Sequence, residues 1–99
     1  MIQIIALLYA SSAGREGLQE FERQAIPILR EHGGVLVSAS SSSEHSDGPD
    51  EIHVIQFPAL EYFHNYKNDE RLLALSALRS QVIRKIDLYV TDQFYDYIP

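Results

Sequence analysis

His53, in the run "EIHVIQF" from Glu51 to Phe57, is the residue of this chain best suited to proton chemistry. A neutral imidazole inside an apolar cavity exchanges a proton near neutral pH, and Tyr9 or Tyr89 would orient a ligand beside it. The plainer reading of His53 is a histidine hydrogen-bonded to a neighbour across a dimer. A second cluster lies in "QFPALEYFHNYKND", residues 56 to 69, where His64 stands between Tyr62 and Tyr66. Helical spacing puts Leu60, Phe63 and Tyr66 on one face and turns His64 about 100° away from Phe63. Aromatic stripes at that spacing fill cores, so the cluster reads as packing. Tyr66 stays a ligand-contact candidate. So does Arg79, as a partner for an anionic group, against the simpler reading of a helix-end arginine paired with Asp or Glu.

Other chemistries have less to stand on. Cysteine is absent, which removes disulfides, thiolate nucleophiles and thiolate-held metals together. His45 and His53 are separated by a turn, and neither His32 nor His64 has a carboxylate at an outstanding helical ligand spacing, so no metal site and no cofactor are expected. The glycines of "HGG" and "SAG" belong to turns and not to a phosphate loop. The many serines include no Gly-x-Ser-x-Gly elbow that would make one a nucleophile.

The elements that position these residues follow from periodicity. Ile2 to Tyr9 reads as a strand, followed by the turn "SSAGREG". From Arg15 onward, Leu18, Phe21, Ala25, Ile28, Leu29 and His32 recur at helical spacing. Pro27 lies inside that helix, where an uncompensated proline costs about 3 kcal/mol, so a kink is expected in the turn before it. Gly33-Gly34 stops the helix. "VLVSAS" gives strand two, the serine-rich segment 40–50 a mobile loop, and "EIHVIQF" strand three. Pro58 opens a helical region in two pieces joined at "KND", with Leu72, Leu75 and Leu78 on one face of the second. Ile86, Leu88 and Val90 alternate with Asp87, Tyr89 and Thr91 in strand four, and residues 93–99 form an aromatic tail. The order gives one α+β domain over residues 1–99: a ferredoxin-like βαββαβ chain with a four-stranded antiparallel sheet and helices on one face.

Both faces of that sheet are apolar, although an antiparallel sheet open to water should alternate. The aliphatic set with Ile86, Leu88 and Val90 is expected beneath the helices. The mixed set of Ile5, Leu7, Tyr9, His53, Ile55, Phe57 and Tyr89 needs another cover. A second copy on a two-fold axis is the simplest, so a homodimer is expected. The chain carries 14 acidic and 8 basic residues, a net charge of −6, which disfavours nucleic acid and anionic membrane surfaces. The apolar start has no basic leading segment and is short, so a cytoplasmic protein without a membrane span is expected.

Tyr9, Gly14, Phe21-Glu22, "IPILREHGG", "PDEIHVIQFPAL", Phe63, Tyr66 and "DERLLALSALRS" together resemble the domain-of-unknown-function 1330 family of the dimeric α/β-barrel superfamily. The resemblance excludes the serine loop and the tail after Asp92. It implies a dimer whose sheets face each other around a cavity, and it supplies no catalytic residues. Three functions follow as expectations. The first is a small-molecule-binding or accessory protein with an apolar or aromatic cavity. The second is a cofactor-independent monooxygenase or isomerase acting on an aromatic or quinol-like substrate through His53 and tyrosines. The third is a purely structural dimer.

Overall fold

A computed structural model describes residues 1–44 and 47–97. Strand β1 spans Ile2–Ala10, helix α1 Gly14–Glu31, β2 Val35–Ser40 and β3 Glu51–Phe57. Helices α2 Leu60–Lys67, α3 Glu70–Leu73 and α4 Ser76–Val82 follow, and β4 Ile83–Thr91 closes the fold. The strands pair antiparallel in the order β2-β3-β1-β4, so the first and third strands are central. This is the expected ferredoxin-like arrangement. Its thinnest dimension, 17 Å, leaves room for one sheet and one layer of helices.

Helix α1 runs unbroken through Pro27, which sits on the exposed side. Its buried stripe is Leu18, Ala25, Ile28 and Leu29. Gly33 ends it with φ of +81°, a conformation that glycine adopts without a Cβ penalty, and its N–H donates to the Arg30 carbonyl at 3.0 Å. The region expected as one helical piece after "KND" is two short helices. The Leu75 N–H donates to the Leu72 carbonyl, a tighter turn that re-aims the chain before α4.

Asp69 caps α3 and joins it to α1. Its carboxylate accepts from the Arg71 backbone N–H at 2.8 Å, pairs with the Arg71 guanidinium at 3.0 Å and lies 2.8 Å from His32 Nε2. Arg71, and after it His32, hold the Asp69 carboxyl well below the usual carboxylate range. A carboxylate depressed in the folded state adds stability above its unfolded pKa, and that stability is lost as pH falls through the folded value. Asp69→Asn should therefore be less stable than the parent at neutral pH. The difference should persist down to about pH 4, where ordinary carboxylates protonate, and shrink only in stronger acid. Acid-unfolding curves of the two proteins check this; a difference already gone at about pH 5 would contradict it.

The register assigns the faces. Ile4 opposes Ile55 and Ala6 opposes His53, so His53, Ile55 and Phe57 share the helix side with Ile2, Ile4, Ala6 and Leu8. The expected grouping of His53, Ile55 and Phe57 with Ile5, Leu7 and Tyr9 is thereby corrected. The open side instead carries Ile5, Leu7 and Tyr9 with Ile52 and Val54, and Tyr89 opposite Ile5. Both phases of β3 are apolar, and bulk decides between them: Phe57 is only 1% exposed, wedged against Phe63 and Tyr66 at 5.6 and 6.0 Å between ring centres. Ile86, Leu88 and Val90 lie on the expected helix side, opposite Leu8, Ala6 and Ile4, but on this edge strand Leu88 and Val90 remain exposed, so the helices do not cover them as expected.

The core is split. One cluster gathers Ile2, Ile4, Leu29, Phe57 and Phe63; the other gathers Leu8, Leu18, Val82 and Ile83. Among the described residues no helix is long and apolar enough to cross a membrane.

Candidate functional site

A cavity of about 350 Å³ opens beneath the helix layer, with walls drawn from both core clusters. Ala6 of β1 and Ala25 of α1 line it, and their short side chains leave volume that a larger residue would occupy. Ile4, Leu8, Ile26 and Ile55 continue its apolar wall. Buried polar groups interrupt that wall at one place.

There His53 of β3 and Glu22 of α1 reach the cavity, and Glu51, two positions before His53 and so on the same side of the strand, adjoins His53 outside the cavity lining. His53 Nε2 lies 2.8 Å from Glu51 Oε1 and 3.2 Å from Glu22 Oε1. The side chains of His53 and Glu51 are 6% and 5% exposed. Arg15 approaches the other Glu51 oxygen at 3.5 Å from the outside. Glu22 Oε1 is sealed from solvent and meets His53 Nε2 at 3.2 Å without hydrogen-bonding geometry. Burial alone would lower the pKa of His53, but the Glu22 and Glu51 carboxylates at its Nε2 outweigh that and raise it.

Tyr66, Lys67, Leu73 and Arg79 belong to the same cavity. Burial pushes the Tyr66 hydroxyl up to about 12 against the opposing charge of Arg79, so it remains a neutral donor. Arg79 makes no ion pair among the described residues, unlike the paired helix-end arginine that was its plainer reading. Lys67 Nζ sits 4.6 Å from the centre of the Phe63 ring.

The fold thus brings three of the five sequence candidates, His53, Tyr66 and Arg79, to one cavity. Tyr9 and Tyr89 lie on the opposite face of the sheet, and Tyr9 is covered by Arg84 and Lys85 at 5.5 and 4.9 Å. They cannot orient a ligand at His53. His64 is exposed on the flank of α2, and His45 lies outside the described residues.

Residues 4–94 match the family described as Domain of unknown function (DUF1330). The chain belongs to this family. A search of curated proteins found no match. Solved structures share the fold of this DUF1330 chain. A protein of unknown function from Rhodopseudomonas palustris superposes with a TM-score of 0.78 at 16% identity, over 96% of this chain and 83% of that one. A protein from Agrobacterium tumefaciens gives 0.71 at 21% identity, over 93% and 92%. A putative antibiotic biosynthesis monooxygenase from Nitrosomonas europaea gives 0.72 at 14% identity, over 96% and 100%. Identities this low carry the fold and not the chemistry.

Glu22 and Glu51 are the site residues of the DUF1330 chain that sequence reasoning missed. Glu51 was within reach, since Glu-x-His on a strand places both side chains on one face. Glu22 was not, because nothing local joins a mid-helix glutamate to His53, 31 positions later on a strand.

Proposed function

We propose that this DUF1330 protein is a homodimeric small-molecule-binding protein in which each protomer holds a small, mainly apolar ligand between its sheet and its helices. The cavity carries the reading: apolar walls of useful size, one buried polar cluster, and Tyr66, Lys67 and Arg79 available as donors. An apolar body gains by leaving water for such walls, while the few polar groups fix its orientation. A purely structural dimer called for a filled interior, and the cavity beneath the helices speaks against it. The enzyme reading called for a tyrosine beside His53, and His53 is bonded to carboxylates instead. Binding therefore takes precedence over a tyrosine-assisted monooxygenase or isomerase reaction.

Dimerisation rests on the open face of the sheet. Ile52 and Tyr89 are 37% and 57% exposed, Ile5, Leu7 and Val54 are half-buried beside them, and the tail aromatics Phe94, Tyr95 and Tyr97 are themselves exposed. Covering ~400 Å² of such surface contributes about 10 kcal/mol of gross transfer energy, before association costs. A second copy presents a matching surface under two-fold symmetry.

Thermal-shift screening against aromatic acids and quinols tests the pocket. A compound present at about 100 times its Kd should raise the unfolding midpoint by roughly 10 °C. Ala25→Leu, which fills the cavity, should abolish the shift while keeping the fold. A panel with no stabilising compound, or one that stabilises both proteins equally, would sink the proposal.

A further inference from the structure

We infer that Glu22, Glu51 and His53 form a binding site for one divalent transition-metal cation on the wall of the cavity, with open coordination positions facing the ligand space. The three side chains come from two layers of the fold, and their donor atoms lie within 4.8 Å of one another. Around a single ion, donors at about 2.1 Å and angles near 90–109° stand roughly 3.0–3.4 Å apart. The distances of 2.8 Å from Nε2 to Glu51 and 3.2 Å from Nε2 to Glu22 bracket the shorter end of that spacing.

A proton alone serves this arrangement poorly. A ring nitrogen carries one hydrogen, yet two carboxylate oxygens converge on the same Nε2. Glu51 takes the hydrogen bond, and Glu22 Oε1 is left buried without one. A buried carboxylate oxygen whose approach to His53 Nε2 lacks hydrogen-bonding geometry is expensive. A cation among the three atoms gives each oxygen and the nitrogen a partner at once, and its charge balances the two carboxylates. Arg15 at the outer oxygen of Glu51 then acts as an outer partner that holds the ligand carboxylate in place. Two carboxylate oxygens with one imidazole nitrogen suit Mn²⁺, Fe²⁺ or Zn²⁺ better than the all-oxygen preference of Ca²⁺.

Three protein donors leave positions free, and they adjoin the space beside Ala6 and Ala25. Resting on the pocket reading above, the ligand class narrows to small molecules with an apolar body and one or two oxygen donors able to reach the ion. The cation site itself does not depend on that reading.

The test is titration of EDTA-stripped, ligand-free protein with MnCl2, read by electron paramagnetic resonance of free Mn²⁺, and with ZnCl2 by calorimetry. The expected result is saturable binding of one ion per protomer, weakened by roughly 100-fold in Glu22→Gln and in His53→Gln and unchanged in His64→Gln. Because a core substitution can disturb folding, the location is read independently in the parent protein. Bound Mn²⁺ should broaden the methyl resonances of Ala6, Ala25 and Ile55 most strongly and that of Met1, just before β1 and five positions from Ala6, least. No saturable binding of either ion, equal binding in all variants, or broadening away from the cavity would overturn the inference. Metal binding with no response to the aromatic panel leaves the cation site standing and removes the pocket proposal; the reverse result removes only the cation.

Discussion

Truncating Phe57 to alanine should destabilise the protein by about 4 kcal/mol and lower its unfolding midpoint by roughly 20 °C. The side chain is 1% exposed and is the largest fully buried one among the described residues. It holds the β3 end of one core cluster against Phe63 of α2 and Tyr66, which also lines the cavity. The loss combines transfer of the ring to water with the void it leaves, since β3 is hydrogen-bonded on both edges and cannot collapse to fill it. A domain of this size has a total stability of about 5–15 kcal/mol, so the variant should be marginal at 37 °C. Chemical denaturation of the two proteins gives the comparison. A loss below about 1 kcal/mol would mean that the assignment of the β3 faces is wrong.

The second large effect belongs to the other side of the sheet. Leu7→Asp should convert a dimer into a monomer at micromolar concentration without unfolding the protomer. Leu7 is half-buried on the open face opposite Ile52. In a two-fold pair an aspartate there leaves water, and each copy brings a like charge into one interface. Such a juxtaposition costs several kcal/mol, a Kd raised by roughly 100-fold or more. Sedimentation velocity of parent and variant, with far-UV circular dichroism as a check on folding, reads the outcome. A parent protein that sediments as a monomer would remove the case for dimerisation.

The order of elements was legible because each carries its own period: alternation in Ile86 to Thr91, helical spacing from Leu18 to Leu29, glycine punctuation at Gly33. The break at Leu75 was not, since Leu72, Leu75 and Leu78 fit one continuous helix as well as two short ones. The phase of β3 was hidden for a related reason. Ile52, Val54 and Gln56 are about as apolar a set as His53, Ile55 and Phe57, so alternation could not choose the side that faces the helices. That one ambiguity placed His53 with Tyr9 and Tyr89, and the pairing of Ala6 with His53 reversed it. The Glu22 contact depends on how α1 lies across the sheet, which no local spacing encodes.

The placement of the ligand in each protomer is most directly tested by a crystal structure of the parent protein with the most stabilising compound of the aromatic panel. The account predicts density in each protomer beneath the helices, bounded by Ala6 and Ala25 and within reach of the Glu22–Glu51–His53 cluster. Density between two apposed sheets, against Ile5, Val54 and Tyr89, would contradict it.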